Sequence, residues 1–187
     1  MSESDGAATP DAAREVLAFW RDAGPKLWFA RDEAFDTRFR ERFLALHERA
    51  ARDELSAWTK TADGALALIL LLDQFPRNSF RGTARMFATD ALARRVASAM
   101  IDRGQDQEID TTLRAFVYLP FEHSEDLADQ DRSVELCRTL DAETAKWADL
   151  HRDIIRRFGR FPHRNKILGR AITPDEQAFI DGGGFAG

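Results

Sequence analysis

The chain has 187 residues, of which 44% are hydrophobic and 32% are charged, a balance typical of a globular protein in water. Its net charge of −5 at pH 7 argues against nucleic acid as a partner, because phosphate binding favours a basic surface. The single cysteine, Cys137, excludes an internal disulfide framework and suits a reducing compartment, so we expect a cytoplasmic protein.

The two ends of the sequence lack the apolar periodicity of helices. Residues 1–8 are small and polar, which predicts a disordered N-terminus without a secretory signal. Residues 182–187 begin with three glycines and predict a flexible tail. Between them no segment alternates as a strand would. The sequence therefore predicts a single all-α domain over residues 9–181, built from antiparallel helix pairs.

An aromatic stripe marks the first half of this domain. Phe35, Phe39 and Phe43 recur every four residues, so they are expected to share one buried face of a helix. Asp32 precedes this stripe and can accept hydrogen bonds from the free N–H groups at the start of the helix. A helix capped by Asp32 is therefore predicted here.

The most apolar run, residues 65–72, predicts a buried central helix because it consists of Leu, Ala and one Ile. Asp63 is expected to cap it. Pro76 is expected to end it near Phe75, since proline lacks an N–H and clashes with the preceding turn. Eight apolar residues fall well short of the roughly 20 that cross a bilayer, so no membrane partner is predicted.

More helices are predicted in the second half, and three of them are described here. Residues 113–119 form an apolar run that Pro120 is expected to end. Thr173 and Glu176 have the spacing of a capping box and predict a short last helix. A longer helix after Asp141 is expected to turn four apolar residues inward, namely Trp147, Leu150, Ile154 and Phe158.

Polar clusters follow three of the apolar helices, in the segments 73–78, 122–125 and 163–165. Two of them are alike, since Phe-Pro-Arg-Asn at 75–78 resembles Phe-Pro-His-Arg-Asn at 161–165. Arginine offers a planar fork of donors that suits carboxylate or phosphate, and asparagine offers both donors and an acceptor. The predicted ligand-binding residues are therefore Asp73, Arg77, Asn78, Arg164 and Asn165. The alternative is that these groups only satisfy the carbonyls of helix ends.

Glu122 and His123 form the third cluster, and either an acid–base pair or a buried hydrogen-bond network is consistent with them. The candidate catalytic residues are Glu122, His123 and His163. His151 shares a helix face with Trp147 and is interpreted as a histidine at the edge of the core. No histidine has the spacing of a metal-binding motif, so no metal site is predicted.

Three blocks carry a resemblance to a known family: Leu-Leu-Asp-Gln-Phe-Pro-Arg-Asn at 71–78, Tyr-Leu-Pro-Phe-Glu-His-Ser-Glu at 118–125, and Phe-Gly-Arg-Phe-Pro-His-Arg-Asn at 158–165. In this order they resemble the signature blocks of the bacterial domain-of-unknown-function 924 family. The resemblance covers residues 16–180 and implies a tetratricopeptide-like helical fold. It implies no activity, substrate or cofactor.

Two functions are therefore expected as alternatives. In the first, the three segments form a polar site for a small anionic molecule, with or without catalysis. In the second, stacked helix pairs form a protein- or peptide-binding module and the polar clusters are purely structural. No reaction, cofactor or oligomeric state follows from these residues.

Overall fold

The computed structural model describes residues 8–185. The disorder predicted for residues 1–8 lies outside this range except for its last residue and stays a prediction. Every regular element within residues 8–185 is helical, so the predicted all-α class is confirmed, and the helices are consistent with a tetratricopeptide-like fold. The α-helices are α1 (Asp11–Ala23), α2 (Pro25–Trp28), α3 (Glu33–Ala51), α4 (Ala62–Ile69), α5 (Phe75–Ser79), α6 (Asp90–Asp102), α7 (Thr111–Glu122), α8 (Leu127–Cys137), α9 (Ala142–Phe158) and α10 (Pro174–Asp181).

The chain forms two compact units. The first contains the residues up to Arg81 and the segment Arg85–Pro120. The second contains Gly82–Ala84 and the residues from Phe121 onward. The single domain predicted over residues 9–181 stays a prediction. None of the helices within residues 8–185 has the length and apolar character needed to cross a membrane.

The first unit is built around the aromatic stripe of α3. Phe35, Phe39 and Phe43 are at most 1% exposed, as the four-residue spacing predicts. The ring of Phe19 on α1 lies between 5.2 and 5.4 Å from all three rings, measured between centroids. The side chain of Asp32 accepts a hydrogen bond from the backbone N–H of Phe35 at 2.7 Å, which confirms the predicted cap.

The central helix α4 begins differently from the prediction. Thr61, not Asp63, is its N-cap, and the threonine hydroxyl accepts from the N–H of Gly64 at 3.1 Å. Asp63 instead lies within the first turn, where its charge is favourable at a helix N-terminus. Gly64 is required here because a Cβ at this position would lie 2.2 Å from the carbonyl oxygen of Trp58.

The two prolines do not end their helices, so that prediction is wrong. After α4 a π-helical turn, Leu70–Gln74, leads directly into α5, and Pro76 lies in the first turn of α5. The π-helical turn places the N–H of Phe75 on the carbonyl of Leu70, five residues earlier. Pro120 lies inside α7, which continues to Glu122. Proline is tolerated where another group takes over the hydrogen bond that its missing N–H would make.

Side chains donate hydrogen bonds to the two carbonyls that lack a backbone N–H donor because of the π-helical turn and Pro76. The Nδ1 atom of His47 lies 2.9 Å from the carbonyl oxygen of Leu71. Burial lowers the pKa of His47, so its ring is neutral and carries its proton on Nδ1, where it donates to that carbonyl. The hydroxyl of Thr89 donates to the carbonyl of Leu72 at 2.5 Å. These bonds let the helix continue past the proline.

The second unit has a small core between α9, α10 and the 3₁₀ turn Pro162–Arg164. Ile154, Ile155 and Phe161 are at most 4% exposed. Three aromatic residues pack around them, namely Phe158, Phe179 and Phe185. Helix α8 packs against α9. At the start of α10, Thr173 and Glu176 form the predicted capping box.

The buried face of α9 is rotated from the predicted one. Trp147 is 47% exposed and Leu150 is 39% exposed, so the prediction that they turn inward is wrong. Ile154 is 4% exposed and Phe158 packs against the core, so the prediction is confirmed for these two residues. Ala148, His151 and Ile155 are also buried, at the i, i+3 and i+7 positions of a neighbouring face. The two candidate faces differ by about one residue in register, and apolar spacing alone favoured the face with the larger side chains.

Candidate functional site

The segment 73–78 lies in the first unit, where its charged groups bond one another. Asp73 is fully buried and accepts from the side chain of Gln74 at 2.7 Å. Arg77 lies 3.2 Å from Oδ1 of Asp73 and makes a two-pronged bond to Asp90 at 2.8 and 3.0 Å. Burial lowers the pKa of Arg77, but the charges of both aspartates outweigh it and raise the pKa, so the guanidinium stays charged.

Asn78 links α5 to α3 within the first unit. Its side-chain nitrogen donates to Oδ1 of Asp36 at 2.7 Å, and Arg81 makes an ion pair with the other oxygen of Asp36 at 2.6 Å. These polar side chains thus have partners within the first unit, as the structural alternative expects. The ligand-binding roles of Asp73, Arg77 and Asn78 stay predictions.

The segments 122–125 and 163–165 meet in the second unit. The Nη2 atom of Arg164 donates to the carbonyl of His123 at 3.0 Å. The N–H of Phe161 donates to Oε1 of Glu125 at 2.8 Å. Arg170 makes a two-pronged ion pair with Glu125 at 2.7 and 3.0 Å. The predicted polar groups of these two segments are therefore brought together although they are far apart in the sequence.

Glu122 contacts a histidine that the sequence did not assign to the site. Its Oε1 lies 3.2 Å from Nδ1 of His151, and both residues are at least 94% buried, with 4% and 6% exposure. The same Nδ1 lies 2.8 Å from the carbonyl of Trp147. His123 presents its main-chain carbonyl to Arg164, and its imidazole is half-buried. No spacing in the sequence could have paired Glu122 with His151, because the two residues lie on different helices, α7 and α9.

His163 is a half-buried neutral imidazole. Burial, which is the largest cause, and the charge of Arg164 together lower its pKa to about 3. At that pKa the ring is a weak base, so it suits hydrogen bonding better than proton abstraction near neutral pH. Its Nδ1 is buried and has no hydrogen-bond partner among the described residues. Within residues 8–185, no three His, Cys, Asp or Glu side chains are arranged to hold a metal ion.

Arg164 and Asn165 are buried beside it, with 7% and 1% exposure. The guanidinium carbon of Arg164 lies 4.5 Å from the centroid of the Phe161 ring, a distance that allows a cation–π contact. The side-chain oxygen of Asn165 accepts from Nε of Arg170 at 2.9 Å. The Phe161 ring and the His123 carbonyl both contact the guanidinium and fix its orientation.

A second ion pair of this unit lies at the start of α10. Arg160 bonds both carboxylate oxygens of Glu176, at 2.6 and 2.8 Å, and lines an open pocket of about 380 Å³ with it. The hydrogen bond from Arg160 lowers the pKa of Glu176 from 4.5 to about 2. None of the residues predicted for the site lines this pocket, whose other lining residues are Arg157, Phe158, Thr173 and Asp175.

The Glu176 pair predicts a pH dependence of stability. Because the folded-state pKa is lowered, ionised Glu176 stabilises the protein fully above about pH 4.5, and this contribution is lost as the pH falls towards 2. Glu176→Gln is expected to be less stable than wild type at pH 6 and to lose less stability between pH 4.5 and 2, as measured by urea unfolding. Asp175→Asn, which keeps Glu176, is the control. Parallel pH curves for Glu176→Gln and wild type would contradict the assignment.

The comparisons with known proteins identify the family. A family model described as bacterial protein of unknown function, DUF924, matches residues 16–184, which is most of the chain. The chain belongs to the DUF924 family. A solved structure, described as a protein of unknown function, ATU0120, from Agrobacterium tumefaciens, is 51% identical to this chain. The match covers 94% of this chain and 99% of that one, with a TM-score of 0.92. No curated protein matches the chain.

Proposed function

We propose that this DUF924 protein binds a small anionic molecule in its second unit, where the segments 122–125 and 163–165 meet. Arg164 is the anion-binding residue of the proposal. Its guanidinium is held over Phe161 at 4.5 Å and bonded to the His123 carbonyl at 3.0 Å, and this fixed orientation is the observation that carries the proposal. A planar guanidinium offers several parallel N–H donors, the arrangement that suits a carboxylate or phosphate.

The surrounding charges are compatible with an anion. Glu125 would repel one, but Arg170 bonds both of its oxygens and compensates its charge. His163 is neutral because its pKa is lowered to about 3, so it can bond an anionic ligand or its hydroxyl groups without titrating near neutral pH. Glu122 has a partner of its own, since its Oε1 lies 3.2 Å from Nδ1 of His151.

Binding of inorganic phosphate, measured by isothermal titration calorimetry, tests the proposal. We expect a dissociation constant of roughly 1 mM for wild type, because a free anion lacks the rest of the ligand. Arg164→Gln is expected to weaken binding at least about tenfold. Arg164→Lys keeps the positive charge but loses the planar pair of N–H donors, so it is expected to bind phosphate with an intermediate affinity. This variant also tests the site if Arg164→Gln does not fold.

Arg157→Gln is the matched control. The Arg157 guanidinium also lies over a phenylalanine ring, 4.6 Å from the centroid of Phe158, but on the more exposed side of α9. Arg157→Gln removes the same charge as Arg164→Gln. Comparing the two variants therefore distinguishes phosphate binding at a specific site from an effect of net charge on phosphate binding. Equal weakening in both variants, or no phosphate binding to wild type, would refute the anion site.

A protein- or peptide-binding role is the alternative, and one observation favours it. Trp147 and Leu150 expose apolar surface on the same side of α9, at 47% and 39% exposure. Exposed aromatic and aliphatic side chains on one helix face are typical of surfaces that contact another chain. In this role the polar clusters are purely structural, so it predicts that wild type does not bind inorganic phosphate, and the same titration separates the two functions.

A further inference from the structure

The chain after α10 turns back on itself through a glycine motif. The N–H of Gly184 donates to the carbonyl of Phe179 at 2.9 Å, and the N–H of Gly183 donates to the carbonyl of Ile180 at 3.0 Å. This pair of bonds, with Gly183 at a φ of 78°, is a Schellman motif. A Cβ on Gly184 would lie 2.6 Å from the ring and the carbonyl of Phe179. The motif fixes the direction in which Phe185 leaves the helix.

Phe185 lies against two histidines. Its ring centroid is 4.5 Å from that of His151 and 5.2 Å from that of His163, at interplanar angles of 67° and 79°. The ring of Phe161 is 5.6 Å from each imidazole. Edge-to-face contacts of this kind are a favourable arrangement for aromatic rings. His151 and His163 thus contact the Phe185 ring directly, and Phe161 contacts both imidazoles and belongs to the core cluster against which Phe185 packs.

These three residues and Phe185 are held in place by different parts of the chain. His151 belongs to α9, and Phe161 and His163 belong to the turn that packs against α10. Phe185 follows the last helix and is joined to it through the glycine motif. The contact also leaves Nδ1 of His163 buried without a partner among the described residues, and a phenyl ring cannot supply one.

We propose that His151, Phe161 and His163 form a binding position for an aromatic ring, which Phe185 occupies when no ligand is bound. This inference rests on the proposed anion site and names its ligand class, a small aromatic anion. The ring of Phe161 contacts both Arg164 and the imidazoles, so one small molecule can place its anionic group on the arginine and its ring at the position of Phe185. Phe185 then competes with the ligand for this position.

Titration of the full chain with phenyl phosphate and with inorganic phosphate tests the inference. Phe185→Ala is expected to bind phenyl phosphate at least about tenfold more tightly than wild type, because the competing ring is gone. Its affinity for inorganic phosphate is expected to stay within about twofold of wild type, since that anion does not need the ring position.

Phe179→Ala is the matched control, because it removes a ring from the same cluster without vacating the position between the imidazoles. It is expected to leave the affinity for phenyl phosphate unchanged. An equal gain in Phe179→Ala would overturn the inference, since loosening of the C-terminus would then explain it. No gain in Phe185→Ala, with inorganic phosphate still bound, would overturn the inference alone. Failure of wild type and both variants to bind either anion would overturn the anion site as well.

Discussion

Arg77→Ala is expected to lower the free energy of unfolding by about 3–5 kcal/mol. The substitution leaves the carboxylates of Asp73 and Asp90 without the guanidinium that lies between them, and their side chains are only 1% and 13% exposed. A buried charge that loses its opposite charge is costly because the protein interior solvates it poorly. Urea unfolding followed by circular dichroism at pH 7 measures the change.

Arg95→Ala is the control for this experiment. Arg95 and Asp53 form an ion pair at 2.9 Å, but their side chains are 60% and 58% exposed. Water screens such a pair, so its loss is expected to cost less than about 1 kcal/mol. If Arg77→Ala also costs less than that, the Arg77 pairs do not hold the start of α5 together as the structure indicates.

Gly64→Ala is expected to destabilise the protein by about 3 kcal/mol, although alanine favours helices by about 1 kcal/mol over glycine. The added Cβ would lie 2.2 Å from the carbonyl oxygen of Trp58 and 2.8 Å from the hydroxyl of Thr61, so the backbone must move. The same movement weakens the cap that Thr61 provides for α4. Thermal unfolding with a matched urea titration measures the loss.

Gly104→Ala is the control that measures the loss of stability when glycine is replaced by alanine without a steric clash. Gly104 has a φ of 71° and open space around its Cβ position. Only the left-handed backbone disfavours alanine there, which costs about 1–2 kcal/mol. A smaller loss in Gly64→Ala than in Gly104→Ala would mean that the approach of Trp58 does not constrain the start of the central helix.

Local patterns in the sequence were sufficient for much of the fold. The Phe35, Phe39 and Phe43 stripe, the Asp32 cap and the Thr173–Glu176 capping box depend on residues within one or two turns, so spacing predicts them. The behaviour of Pro76 depends on more distant groups. His47 lies on α3 and Thr89 directly precedes α6. Their hydrogen bonds to the carbonyls of Leu71 and Leu72 allow the helix to continue past Pro76.

The site was predicted less completely than the fold. The sequence indicated that Glu122, His163 and Arg164 belong to polar segments that follow apolar helices, and the segments 122–125 and 163–165 do contact each other. It missed His151, since its contact with Glu122 joins residues that are far apart in the sequence and that no local pattern connects. It also missed Phe185, because three glycines before an aromatic residue are typical of a tail and carry no sign of the contact with the histidines.

Anomalous diffraction from crystals soaked in sodium selenate tests the central claim most directly, because selenate mimics a phosphate-like anion and can be located by its selenium. The account predicts a selenium peak whose oxygens lie about 3 Å from the guanidinium nitrogens of Arg164, and no such peak there in Arg164→Gln crystals. Selenate bound elsewhere on the molecule, with the surroundings of Arg164 empty at the same concentration, would contradict it.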